Sequence, residues 1–134
     1  MKLSVEIIVQ APIEKVWHAY TSPEAIKIWN AASDDWHTTS ATVDLRVGGI
    51  FSSRMEAKDG SMGFDFAGTY TKIEVCKLIE YTFGDRTAQV SFQDTSSGIQ
   101  LNVAFDAETT YSEEQQLQGW QAILANFKKY VESK

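Results

Sequence analysis

Two histidines, one cysteine and a short Asp44-Leu45-Arg46 segment are the residues of this chain whose types suit chemistry. A catalytic imidazole needs a partner that fixes its tautomer, and a metal site needs ligands at close, regular spacing. His18 and His37 have neither in sequence, so no metal and no cofactor is expected. His37 follows Trp36 at the start of a strand, where an imidazole could serve a pocket as acid or base; alone, it reads more readily as structural. Cys76 lies between Val75 and Lys77 and reads as a quiet thiol, because a reactive one needs a group that stabilises the thiolate. Asp44 and Arg46 share a strand face by spacing, and Arg54 joins them across a hairpin; an exposed ion pair bracing that hairpin is the expected role. Gly48-Gly49 lacks the G-x-G-x-x-G spacing and joins strand to strand, so it reads as a turn and not as a phosphate cradle. Tyr81 and His37 remain as polar candidates for an interior site. No nucleophile, base and orienting group come together, and no catalytic residue is assigned.

The elements that would position such a site follow from periodicity. Leu3, Val5, Ile7 and Val9 alternate with polar residues, the period of a half-buried strand, and Pro12 ends it. Residues 12–20 then form a short helix bearing Val16, Trp17 and Tyr20. Ser22-Pro23-Glu24, an N-cap followed by a proline suited to the first helical turn, starts another that ends near Trp29. From Trp36 to Asp106 alternating segments are broken at Gly48-Gly49, Asp59-Gly60, Gly84-Asp85 and Ser96-Ser97-Gly98, which gives six further antiparallel strands.

Parity constrains the first of these hairpins. Ala41, Val43, Leu45 and Val47 are odd, as are Phe51, Met55 and Ala57, so a three-residue loop is expected to set Val47 opposite Phe51 and Asp44 opposite Arg54. Phe64 and Phe66 are even whereas Ile73 and Val75 are odd, and Gly68 is the expected bulge between them. Ser112-Glu113-Glu114-Gln115 is a capping box. Beyond it Leu117, Trp120, Leu124, Phe127 and Val131 form one apolar stripe on a helix of ~20 residues, roughly 30 Å long. Gly119 costs about 1 kcal/mol relative to alanine inside a helix, so another element is expected to approach it closely.

Composition bounds the function. A chain of 134 residues fits one domain, 1–134, and buries roughly 68% of its unfolded surface without help from metal or disulfide. Twelve basic against eighteen acidic residues leave a formal charge of −6, which argues against a phosphate-tracking surface and so against nucleic acid. The single cysteine excludes an internal disulfide and fits a reducing compartment. Charge interrupts the amino terminus too early for a signal peptide, and no apolar run approaches the ~20 residues of a membrane span; a cytoplasmic location is expected.

Taken in order, Ala11-Pro12-Ile13-Glu14-Lys15-Val16-Trp17, Trp29, Asp44-Leu45-Arg46-Val47-Gly48-Gly49, Gly68-Thr69-Tyr70, Tyr81-Thr82-Phe83 and Gly119-Trp120 resemble the START-like (SRPBCC, helix-grip) superfamily. The likeness covers essentially the whole chain and is to the branch named after the activator of the heat-shock chaperone ATPase. It implies an α+β fold: a curved seven-stranded antiparallel sheet, two short helices after the first strand, and a long C-terminal helix across the concave face. In that family the co-chaperone itself carries a separate amino-terminal domain that engages the chaperone, and these residues present no counterpart. Other relatives resemble hydrophobic-ligand carriers, and some in the wider superfamily are cyclases or dehydratases.

Trp17, Trp29, Trp36, Phe51, Met55, Phe64, Phe66, Phe83, Trp120, Leu124 and Phe127 are the candidate wall of a cavity between sheet and helix, with His37 and Tyr81 as its polar contacts. The same residues would equally suit a filled core. The leading expectation is a noncatalytic carrier or sensor of a hydrophobic or aromatic small molecule. An enzyme using the same pocket is the alternative, followed by a module that binds a chaperone or another protein.

Overall fold

The computed structural model describes residues 2–133. Its elements are β1 (Lys2–Val9), α1 (Ile13–Thr21), α2 (Pro23–Trp29), β2 (Trp36–Val43), β3 (Ile50–Ala57), β4 (Gly63–Glu74), β5 (Leu78–Phe83), β6 (Arg86–Thr95), β7 (Gly98–Asp106) and α3 (Glu113–Glu132). The strands form one curled, wholly antiparallel sheet in the order β1-β7-β6-β5-β4-β3-β2. This is the α+β helix-grip arrangement.

Local chemistry sets the helix ends. Ser22 Oγ accepts from the Ala25 amide and Pro23 occupies the first turn of α2, whereas α1 begins at Pro12 with no side-chain cap. At α3 the capping box is complete: Ser112 Oγ accepts from Gln115 N at 3.1 Å, and Gln115 Oε1 accepts from Ser112 N at 3.2 Å. Side chains then stitch α3 along β1. Gln121 donates to the Glu6 carbonyl, Lys128 to the Ile8 carbonyl, and Glu132 accepts from the Gln10 amide. These bonds hold the helix beside one edge of the sheet. Between it and the sheet, its own Phe127 and Val131 and the strand residues Val9, Leu101, Val103 and Phe105 are almost wholly removed from water, so the solid part of the core lies on the β1-β7-β6 side.

The first hairpin departs from the expected register. Val43, and not Val47, faces Phe51, and Arg54 faces Ser40. Parity survives, but the loop is longer: β2 stops at Val43 and residues 44–49 turn outside the sheet, leaving Leu45 and Val47 exposed. The reason lies in the loop's own bonds. Gly48 N donates to the Tyr70 carbonyl and Tyr70 N to the Gly49 carbonyl, which docks the loop on β4. Gly49 lies so close to the Asp44 carbonyl that a Cβ there would fall 2.1 Å from the oxygen. Asp44 and Arg46 do pair, at 2.9 Å and well exposed, but Arg54 bonds Glu56 and Asp65 instead of Asp44.

Gly68 is not the bulge. The irregularity falls between Tyr70 and Lys72, and a second between Thr38 and Ser40, so Phe64, Phe66 and Tyr70 keep one parity and Ile73 takes the other. Gly68 instead makes room: it faces Phe51 across the ladder, and a Cβ would meet that ring at 2.8 Å. No close neighbour surrounds Gly119 either; nothing lies within 4 Å of the position a Cβ would take.

Candidate functional site

Because α3 runs beside β1 while α2 packs on β2, the concave face over β2–β5 is bridged and not filled. A cavity of about 650 Å³ remains there. Its roof is one helical face, Gln115, Gln116, Gly119, Trp120, Ile123 and Leu124, completed by Ile26 and Trp29 of α2. The floor is Phe51, Ser53 and Met55 of β3, Phe64, Phe66 and Tyr70 of β4, and Ile79, Tyr81 and Phe83 of β5, with Trp36 of β2 at the edge. Alternation along each strand puts every second side chain on this floor. The rings brace one another: Phe66 sits 5.6 Å from Phe83 and 6.3 Å from Trp120, and Trp120 stacks on Phe105 at 4.3 Å. Trp120 is thus cavity wall on one side and core on the other.

Three of the sequence candidates lie elsewhere. Trp17 is buried edge-on against Phe92, 5.2 Å away; α1 turns that face toward β6 and presents Tyr20, three residues on, to the cavity. Phe127 has no exposed surface and is wedged between Trp29 (4.9 Å) and Tyr20 (5.3 Å), so it closes off the cavity's end from behind. His37 is exposed on the outer face of β2, since Trp36 and Thr38 on either side of it point inward. It borders a separate surface depression with Lys27, Lys58 and Lys129.

The structure adds residues that the sequence reading passed over as site residues. Tyr20, Tyr70, Arg86, Glu108 and Tyr111 all line the cavity. Tyr70 shares the even parity of Phe64 and Phe66, a signal hidden by placing the bulge at Gly68. Arg86 lies over the Phe83 ring, its guanidinium carbon 4.4 Å from the centroid, and donates to the Asp106 carbonyl. Gln116 holds the 107–112 segment over the cavity's rim. Its Oε1 accepts from Glu108 N at 2.9 Å, and its Nε2 donates to the Glu108 and Tyr111 carbonyls at 3.2 and 2.9 Å. Phe64 and Tyr111, 48% and 60% exposed, mark where the cavity meets solvent.

Three phenols line this space under unusual conditions. Burial pushes the Tyr20 hydroxyl far up, with Tyr70 adding to it. Tyr70 is raised to about 12, by burial first and then by the charge of Asp44. Tyr81 is raised well above its ordinary range, by burial and then by Tyr20 and Tyr70, against a smaller opposing pull from Arg86. Like any phenol the three are neutral at physiological pH, and burial keeps them so further into alkaline solution. Among the described residues no three His, Cys, Asp or Glu side chains come together to hold a metal ion, and no helix is long and apolar enough to cross a membrane. The arrangement can enclose an apolar body between rings and offer it hydroxyl donors.

The family model for activator of Hsp90 ATPase homolog 1-like proteins matches residues 10–132. The chain belongs to this family. Among solved structures it is similar to an AHSA1-like protein from Aeromonas hydrophila, with 48% identity over 99% of this chain and 93% of that one and a TM-score of 0.93. A protein from Cytophaga hutchinsonii is 46% identical over 98% of this chain and 92% of its own, TM-score 0.85. A Nitrosomonas europaea protein at 23% identity shares the fold, with 99% and 95% covered and a TM-score of 0.87. No curated protein matches the chain. The family and fold support a ligand-binding or interaction module in general terms.

Proposed function

We propose that this family member is a noncatalytic carrier or sensor, acting in the cytoplasm, that holds a hydrophobic or aromatic small molecule between the sheet and α3. One observation carries the reading: a space of about 650 Å³ walled by Trp29, Trp36, Phe51, Phe66, Phe83 and Trp120, within the roughly 300–1,000 Å³ of small-ligand sites. A solid core would leave no such space, and a protein-docking role would draw on outer surface instead. His37, the imidazole considered for a catalytic part, lies on the outer face of β2.

The test is a panel of planar apolar molecules followed by tryptophan fluorescence and thermal melting. Saturable quenching is expected, because Trp29, Trp36 and Trp120 line the cavity. At a ligand concentration of 100 Kd, stabilisation should reach about 2.7 kcal/mol. Absence of both responses across the panel overturns the proposal. Chemical conversion of a panel member replaces it with the enzyme reading, and stimulation of Hsp90 ATPase by this chain alone replaces it with the co-chaperone reading.

A further inference from the structure

Tyr20 comes from α1, Tyr70 from β4 and Tyr81 from β5, yet all three line the one cavity. Tyr70 and Tyr81 are direct partners across the β4–β5 ladder, and both rings flank Phe51, with centroids 5.1 and 4.9 Å away. Tyr70 is 7% and Tyr81 6% exposed. No hydrogen bond among the described residues uses any of the three hydroxyls, and none of them is sealed off as an unsatisfied buried atom. The hydroxyls therefore open onto the cavity that these residues line. Native interiors leave few polar groups without a partner. Phenylalanine would give the same packing at each position, so the three hydroxyls are what this space offers a ligand as hydrogen-bonding groups.

We propose that Tyr20, Tyr70 and Tyr81 form a donor cluster that takes a neutral carbonyl-type oxygen on an otherwise flat, apolar ligand. This rests on the carrier reading above and specifies its ligand class. Each phenol carries an O–H that can donate at neutral pH. A carboxylate is disfavoured. Asp44 acts on Tyr70, Glu108 lies in the wall, the whole chain carries −6, and a buried anion needs a paired cation. Arg86, the cation among the lining residues, shares the wall with the Glu108 carboxylate, lies over the Phe83 ring and donates to the Asp106 carbonyl.

The test uses fluorene and 9-fluorenone, flat molecules of matched shape that differ by one carbonyl oxygen. Titrated into the full chain, fluorenone should bind roughly tenfold more tightly, the increment of about one to two neutral hydrogen bonds. Infrared spectra should show its carbonyl stretch at lower wavenumber when bound than in hydrocarbon solvent. In the Tyr20→Phe, Tyr70→Phe, Tyr81→Phe triple variant the ratio of fluorenone to fluorene affinity should fall to about one and the infrared shift should vanish. Tyr81→Phe alone should lose part of both. Equal binding of the two probes to the natural chain overturns the donor cluster but leaves the carrier reading in place, as does a preference that survives in the triple variant. If neither probe binds, the cavity-binding reading fails and the cluster fails with it. The comparison in the natural chain needs no variant to fold.

Discussion

Gly119 offers a way to test the cavity from its roof. It sits mid-helix in α3, on the same face as Gln115, Gln116, Trp120 and Ile123, and a side chain there would enter open space. Its φ is not in the left-handed region, so replacement brings no backbone strain. Gly119→Ala removes a helix penalty and should stabilise the fold by about 0.8–1 kcal/mol. With unfolding entropy of about 2.1 cal/mol/K per residue, this 134-residue chain should melt about 3 °C higher. Gly119→Leu carries the same backbone gain and projects four carbons into the cavity, each worth up to about 0.8 kcal/mol if covered by the surrounding rings. The leucine variant should thus be at least as stable as the natural chain while losing at least tenfold in affinity for a flat apolar probe. Thermal melts and fluorescence titrations on the three proteins decide it. A less stable Gly119→Ala protein would mean that the roof is packed, not open. A folded Gly119→Leu protein with unchanged affinity would place the bound probe outside this cavity.

Further outcomes follow from the same geometry. Trp17→Phe should leave the amplitude of ligand-induced quenching largely intact, because Trp17 packs on Phe92 away from the cavity, whereas Trp120→Phe should reduce it; comparing the two titrations checks the assignment. Phe127→Ala should cost about 3–5 kcal/mol in denaturant unfolding, since it empties a fully buried site. Asp106 accepts from the Thr87 amide and from the Lys2 and Thr87 side chains, which hold its carboxyl down at about 2 from 3.8. A lowered carboxyl stabilises the fold above its unfolded pKa and loses that contribution as pH falls. The stability deficit of Asp106→Asn at neutral pH should therefore close between about pH 4 and pH 2. Tyr20, Tyr70 and Tyr81 carry the opposite sign: their raised pKa values favour the fold below pH 10, and the contribution is lost as pH rises, through about 12 for Tyr70. Between those values the native chain should show less phenolate absorbance than the unfolded one.

Period and capping chemistry, both local, were enough to read the seven strands and three helices from the sequence. Alternation from Leu3 to Val9, the Ser22-Pro23 start of α2 and the Ser112–Gln115 box each depend on neighbours within a few residues. Parity alone also assigned most of the cavity wall, since Phe51, Met55, Phe64, Phe66 and Phe83 must share the face that their strands turn inward. Sliding a hairpin by an even number of residues leaves that parity unchanged. Val43 and Val47 were therefore equivalent partners for Phe51 in the sequence, and contacts with Tyr70, more than twenty residues away, selected Val43. Tertiary tilt hid Tyr20 and misplaced Trp17, because which side of a short helix meets the cavity depends on how the rest of the fold sets α1. Tyr70 was hidden by placing the bulge at Gly68. Phe127 lies behind the cavity between Trp29 and Tyr20, and His37 alternates outward between Trp36 and Thr38. Whether the aromatic residues fill a core or frame a space was likewise a tertiary decision. Side-chain types fix how much apolar surface there is to bury, but the position of α3, stitched to β1 through Gln121, Lys128 and Glu132, fixes how far it stands from β2–β4, and that separation is the cavity.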